Sequence, residues 1–436
     1  MFTTIERNIM PKSNLSTSFY VYQHKLVIKG QYIKRPLIAI RDSDGLLYFT
    51  DFHKYCTSPA TIRNIASSDE SRIYAVVPLL NFAFFIKGIK KLDDLTVDIV
   101  QEYLTAYGLC NLPWDDDNTR RKETTVQKTV AYILDFLNSF IDDRKGHCRM
   151  KKNDLFQYKH YRNKRGQVRK RKVPTFEIRF LDSPADTIFR DIPNRAFLLL
   201  FNHIRVAHKE MLGVVMLQAF AGLRPSEACN VRREDSPIGP GIIFTRVGHD
   251  VRRIQIDLTA ERVLRSDLVF VGGIKKERMA EVPDIFISAF IDAYEDYLHY
   301  LISVPYEKAY APFSVNTRGL ALTYDSYYQM FKKIIKTEMI PIYLADDDAE
   351  TVIYGRMLLE HNLAPHVFRH WFTVQLILSG VNDIGTLMFY RGDKSPQSAL
   401  TYIEGKGELE KRYRRVAEGT FDYLKWASEK VVNNDN

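Results

Sequence analysis

Ala364-Pro365-His366-Val367-Phe368-Arg369-His370 opens the stretch that decides the fold. Arg391-Gly392-Asp393-Lys394-Ser395-Pro396 closes it, with Tyr402 shortly after. Pro365 suits the first turn of a helix, where its missing N–H costs nothing. His366 and Arg369, three apart, then share one helical face. A guanidinium offers a fixed fork of donors, an imidazole can donate or accept, and a phenol can attack phosphorus. Alone, the same residues also fit a basic helix start and a core tyrosine.

Two upstream pieces bear on that choice. Ala221-Gly222-Leu223-Arg224-Pro225-Ser226-Glu227 reads as a joint between helices. Gly222 fits a helix end, Pro225 a fresh start, and Glu227 can hold Arg224 one turn away. Val269-Phe270-Val271-Gly272-Gly273-Ile274-Lys275-Lys276, followed by Glu281-Val282-Pro283, predicts two short strands around a tight basic turn. A lysine there can swing into a neighbouring site on its flexible stem.

In that order, Arg224 in a G-L-R-x-S-E setting, Lys275 in a predicted β-hairpin, His366-x-x-Arg369 after a proline, and G-x-K-S-P before Tyr402 resemble the tyrosine recombinase (phage integrase) superfamily, of mobile-element integrase type. The resemblance runs over about residues 71 to 430 and is tightest between about 212 and 403. It implies a fold that is mainly α with small β-sheets (α+β): a helical core-binding domain, a catalytic domain and here a β-rich N-terminal extension. The activity implied is site-specific cleavage and rejoining of DNA through a 3′-phosphotyrosine, without metal, cofactor or ATP. Tyr402 would be the nucleophile, Arg224 and Arg369 would grip the phosphate, and His366 would accept the tyrosine proton or bond the phosphate. Lys275 would be the general acid, with Lys276 an open alternative. The family's synapse implies a homotetramer on paired double-stranded DNA sites and leaves room for accessory DNA-bending proteins.

One position departs from the pattern. Where a His or Trp usually follows the glycine, this chain has Asp393. Two unit charges about 4 Å apart repel by roughly 4 kcal/mol at an effective dielectric near 20. The carboxylate is therefore expected to turn away, to pair with Lys394 or Arg391, to be protonated, or to orient His366. A chain that has lost turnover at Asp393 and only binds DNA is one alternative. A type IB topoisomerase-like strand swivel is another.

Length and composition agree with a multidomain nucleic-acid protein. The 436 residues suggest two to four domains, and the 45% hydrophobic content is ordinary for a globular chain. The formal charge of +9 is concentrated: from Arg144 to Lys172 thirteen Lys/Arg stand against Asp154 alone, so the remainder of the chain is slightly acidic. Within this segment Lys151, Lys152, Arg162, Lys164, Arg165, Arg169, Lys170, Arg171 and Lys172 are the candidate DNA-backbone contacts. Cys56, Cys110, Cys148 and Cys229 lie far apart with no zinc spacing, and a reducing compartment is expected. The apolar runs near 79–86 and 212–223 are broken by Asn81 and Gln218, and no membrane span or targeting pattern is read. A cytoplasmic location is expected, on the nucleoid if the source is prokaryotic.

The predicted order along the chain is as follows. Residues 1–70 carry strand-like runs at 19–22, 26–28 and 37–40, a turn at Asp42-Ser43-Asp44-Gly45, and Leu47-Tyr48-Phe49; an accessory DNA-binding role is one use for them. Residues 71–143 read as helices, with Val126, Val130, Ile133, Leu134, Leu137 and Ile141 as a stripe. Residues 144–173 read as a basic interdomain linker along the duplex, partly disordered without DNA. Residues 174–436 form the catalytic domain, with helices from about 193, 211, 285 and 324, and strands near 239–244 and 267–271. Asp346-Asp347-Asp348 is read as a loop or helix start, not a metal site. A last helix over 421–431 would dock back or onto a neighbouring protomer.

Overall fold

The computed structural model describes residues 17–28, 31–56, 70–116, 119–162, 167–181, 192–381, 383–393 and 396. Tyr402, Lys164, Arg165, Lys394 and the expected final helix lie outside these residues, as does the side chain of Arg171. Contacts divide the chain into two units, one within 1–187 and the other essentially 188–436.

The first unit begins with strands β1 (Ser18–Ile28), β2 (Gln31–Arg41) and β3 (Leu47–Phe49) in sheet order β1-β2-β3. The Asp42 turn forms as expected: its carboxylate accepts the Asp44 and Leu46 N–H groups at 3.0 and 2.9 Å. Helices α1 (Glu70–Asn81), α2 (Val97–Gly108) and α3 (Glu123–Asp143) follow. Thr96 caps α2, accepting the Ile99 N–H. The predicted α3 stripe is buried throughout, with Ile133 and Leu137 fully enclosed.

The described strands β1 and β2 pack into the core of the first unit. Phe19 and Ile38 of the sheet share one apolar core with Val76, Leu80 and Leu134. The buried amide of Asn81 accepts the Phe19 N–H at 2.7 Å and donates to the Phe19 carbonyl at 3.0 Å. Burying that amide satisfied on both sides ties β1 to the end of α1.

The basic segment also differs from the expected linker. After the short α4 (Lys152–Leu155), β4 (Phe156–Arg162) and β5 (Val168–Pro174) pair antiparallel, Tyr158 opposite Lys172 and Tyr161 opposite Arg169. Aromatic and basic side chains mingle on β4 and cations dominate β5, and a two-stranded ribbon can hold them without a core of its own. Its base is anchored: Leu155 and Phe156 are buried in the first unit's core, and Lys172 pairs with Asp135 of α3 at 3.3 Å. Residues further out are exposed.

In the second unit, α5 (Asn194–Ala207) and α6 (Lys209–Ala221) precede α7 (Pro225–Ala228). Every residue of α6 from Met211 to Ala221 is buried, so this helix is the unit's central rod. Strands β6 (Ile242–Val247), β7 (Asp250–Leu258) and β8 (Arg278–Glu281) form an antiparallel sheet in that order, Ile242 opposite Ile256 and Ile256 opposite Ala280. Around them lie α8 (Ile287–Ser303), α9 (Tyr324–Ile334), α10 (Ile340–Leu344), α11 (Ala349–Glu360), α12 (Val367–Leu378) and α13 (Ile384–Arg391). Trp371 of α12 stacks on Phe197 of α5, centroids 3.6 Å apart, and donates its indole N–H to Asn194. The mainly helical α+β class read from sequence is the class observed.

The hairpin expected around Lys275 forms differently. Only Arg278–Glu281 is a strand, and its partner is β7 rather than 267–271. The segment before it bonds elsewhere: the Val271 carbonyl accepts the Tyr324 N–H, the Gly272 carbonyl the Asn230 amide, and the Gly273 carbonyl the Ser226 hydroxyl. A strand cannot pair through carbonyls already engaged by side chains and a helix start. Asp348 caps α11 by accepting the Thr351 N–H, as a helix-start reading of the aspartate run requires.

Candidate active site

Two helix ends bring the arginines together. Gly222 closes α6 with left-handed geometry (φ +62°), which turns the chain so that Arg224 precedes Pro225, the first residue of α7. The Arg224 guanidinium is fixed from below by Glu227, donating to Oε1 at 2.9 Å while its backbone N–H donates to Oε2 at 3.1 Å. Arg369, in the first turn of α12, is 1% exposed and donates to the Gly222 carbonyl. The two guanidinium groups therefore meet at the same helix end.

Asp393 lies between them. Its Oδ1 accepts from Arg224 Nη2 at 2.8 Å and from Arg369 Nη2 at 2.9 Å. Its Oδ2 accepts from Arg391 Nε at 2.7 Å. Arg391 in turn donates to the Thr373 hydroxyl, which donates to the Arg369 carbonyl, closing a ring of bonds. Burial alone would raise the Asp393 carboxyl, but Arg391, Arg369 and Arg224 hold it below the ordinary carboxylate range, so it is ionised. Of the four expectations for this side chain, pairing with Arg391 is found. Turning away is not, because the fixed ends of α12 and α13 aim it at both arginines, and three guanidinium groups exclude the protonated form.

Burial is the main force lowering Arg369, and the neighbouring Arg224 and Arg391 add to it, bringing the guanidinium to about 9. It stays charged at neutral pH. Glu227, fully enclosed, would also be raised by burial, but Arg278 and Arg224 hold it down.

Gly392 explains how Asp393 reaches this place. It caps α13 at φ +61°, and a Cβ built on it would stand 2.3 Å from Arg278 Nε. Only glycine combines that backbone with that approach.

The site contains residues that the motif reading did not assign. Arg278 of β8 grips Glu227 through both terminal nitrogens at 3.2 and 3.0 Å, behind Arg224. Lys276, rather than Lys275, reaches inward: its Nζ donates to the Asp393 carbonyl at 3.3 Å, while Lys275 is exposed. His366 is half-buried at the start of α12, its ring 5.0 Å from that of His370 and edge-on to it. Arg224, Arg278, Arg369, Arg391 and Lys276 together outnumber Glu227 and Asp393, so the site keeps positive charge for an anion.

Lys151, ahead of α4, and Lys159, Arg162, Arg169 and Lys170 of the hairpin form no ion pair among the described residues. Lys152 instead pairs with Asp142, and Lys172 with Asp135. Among the described residues no helix is long and apolar enough to cross a membrane.

No protein-family model and no curated protein matches the chain. Several solved structures do. The Tn1549 transposon integrase in complex with transposon right end DNA is 14% identical, with a TM-score of 0.46 over 83% of this chain and 97% of that one. The XerH site-specific recombinase bound to difH substrate is 15% identical, with a TM-score of 0.42 over 76% and 74%. A lambda integrase dimer bound to a COC′ core site is 11% identical, with a TM-score of 0.38 over 79% and 90%. Each of these likenesses lies at 11–15% identity with a TM-score below 0.5.

Proposed function

We infer that this chain is a site-specific DNA recombinase or integrase that breaks and rejoins strands through a 3′-phosphotyrosine at Tyr402. The observation that carries the reading is the convergence of Arg224 and Arg369, distant in sequence, on one anionic oxygen. In the reaction a non-bridging phosphate oxygen takes those donors, and the carboxylate of Asp393 retreats onto Arg391. Two preorganised forks, both charged at neutral pH, stabilise the five-coordinate state without a metal. The Tyr402 oxygen attacks phosphorus, its proton passing to His366. The 5′-oxygen leaves and takes a proton from Lys276, the lysine nearer the arginines. One phosphodiester replaces another, so resealing by a 5′-hydroxyl needs no ATP. Exchange between two duplexes implies two protomers on each, hence a homotetramer. The exposed cations Arg162, Arg169 and Lys170 of the hairpin, together with Lys151 ahead of it and Lys164 and Arg165 of the same basic segment, contact backbone phosphates.

Saturation of both arginines by Asp393 favours a second reading, a DNA-binding protein without turnover. One experiment separates the two. Duplexes enriched by binding to the full chain are nicked to form suicide substrates, and DNA-linked peptides are analysed by mass. Linkage at Tyr402, absent in Tyr402→Phe, supports the recombinase. Linkage at another tyrosine overturns the assignment of Tyr402, and binding without any adduct leaves the non-catalytic protein.

A further inference from the structure

A cluster unrelated to the arginines sits at the other end of α6. His203 lies in the last turns of α5, His208 is the single residue joining α5 to α6, and Glu338 belongs to a π-helical turn, Ile335–Met339, between α9 and α10. The thirteen residues of α6 separate this cluster from Gly222 by about 20 Å of helix. Both imidazoles direct Nε2 at one atom: Glu338 Oε2 stands 2.6 Å from His203 Nε2 and 2.8 Å from His208 Nε2. The other nitrogen of His208, Nδ1, faces Glu210 Oε1 at 3.7 Å.

That arrangement is hard to satisfy with neutral imidazoles alone. A neutral ring carries one N–H. His208 has a carboxylate at each nitrogen, so one nitrogen must present its lone pair to an oxygen lone pair. A cation on the Nε2 side removes the conflict: both imidazole lone pairs and the carboxylate then point at it. Nδ1–H of His208 turns to Glu210, the carboxylate–histidine–metal relay that fixes tautomer and orientation. The four side chains are only 17–31% exposed, which keeps water competition low while leaving an entry path.

We propose that His203, His208 and Glu338 bind a divalent transition-metal ion of the zinc class, with Glu210 as the orienting partner of His208. Two imidazole nitrogens and one carboxylate oxygen suit zinc, and the all-oxygen preference of magnesium and calcium excludes those ions. Tetrahedral zinc with bonds of about 2.1 Å holds its ligand atoms about 3.4 Å apart. The observed 2.6 and 2.8 Å therefore need to open by about 0.6 to 0.8 Å, a modest rotation for side chains at this exposure. The ion would tie the α5–α6 joint to the π-helical turn. It has no part in the phosphoryl transfer, and its test does not depend on that reading.

The full chain is stripped with chelator, exposed to one equivalent of zinc, and passed over a desalting column before elemental analysis and melting. Wild type is expected to retain one zinc, and zinc is expected to raise its melting temperature. The His203→Gln/His208→Gln variant is expected to lose both effects. Glu210→Gln should keep the stoichiometry but bind at least about tenfold more weakly in competition with a chromophoric chelator. Should the double variant fail to fold, Glu338→Gln, isosteric and less intrusive, replaces it. Wild type that retains no zinc, or zinc retained equally by these variants, overturns the proposal. The cluster is then a proton-linked ion pair, or the zinc is held elsewhere.

Discussion

At Asp393 one carboxylate oxygen is shared by two guanidinium groups, and the second oxygen by a third. Removing the charge from one member of a buried network leaves its partners uncompensated, at a cost of about 3 to 5 kcal/mol where burial is complete. Arg224 is 15% exposed, so Asp393→Asn is expected to cost about 2 to 4 kcal/mol by thermal melting. The same change frees both arginines for phosphate, and most cleavage should be retained. A loss as complete as that of Tyr402→Phe would give the carboxylate an active part in the chemistry. The pH dependence follows from the same bonds. Asp393 and Glu227 are held below their ordinary values, so their stabilisation is complete above the unfolded carboxylate range and lost as pH falls through their lower folded values. Melting followed downward from pH 5 should show wild type losing stability more steeply than Asp393→Asn. The two lysines separate by leaving group. Lys276→Ala should slow cleavage by about 10² to 10⁴, with rescue by a 5′-thiolate leaving group that needs no proton, while Lys275→Ala should stay near wild type. The reverse pattern would assign the acid to Lys275.

The β4–β5 hairpin sets out its charges by strand geometry. Period-two alternation places Lys159, Tyr161 and Arg169 on one face and His160, Arg162 and Lys170 on the other, beyond an anchored base. A rigid ribbon carries its charges in fixed register, where a disordered linker would have to order them on binding. Each phosphate contact contributes about 0.9 to the slope of log affinity against log salt. The triple change of Lys159, Arg169 and Lys170 to Gln should therefore flatten that slope by two to three, measured on an unrelated duplex, with folding intact. Lys172→Ala should act differently. It breaks the Asp135 pair and lowers melting temperature, with little change in slope. Equal effects of both changes on the slope would mean that Lys172 leaves Asp135 for DNA.

Among the described residues, the apolar side chains gather into two principal cores, one from β1 to Phe156 and one from Ile192 to Leu387. Each unit is expected to melt cooperatively on its own, giving two calorimetric transitions for the DNA-free chain. The Asn81–Phe19 exchange makes β1 part of the first transition. Asn81→Ala leaves the Phe19 backbone groups buried without partners, at about 1 to 3 kcal/mol, and should lower the first transition alone. A shift of both transitions together would show that the units unfold as one.

Several features could be read directly from local chemistry: the α6 end at Gly222, the restart at Pro225, the Glu227 hold on Arg224, the α3 stripe and the Asp42 turn. Each depends on residues within about one turn of each other, where spacing alone fixes geometry. The pairing of Asp393 with Arg391 was legible for the same reason. Its sharing between Arg224 and Arg369 was not, nor was the place of Arg278, because those contacts cross between α7, β8, α12 and the end of α13. The basic segment's charge was evident from composition, but its hairpin depended on an anchor at Asp135 that no local pattern reveals. Local sequence decided which groups could meet a phosphate. Tertiary packing decided which of them do, since only the converging helix ends bring distant side chains within hydrogen-bonding reach.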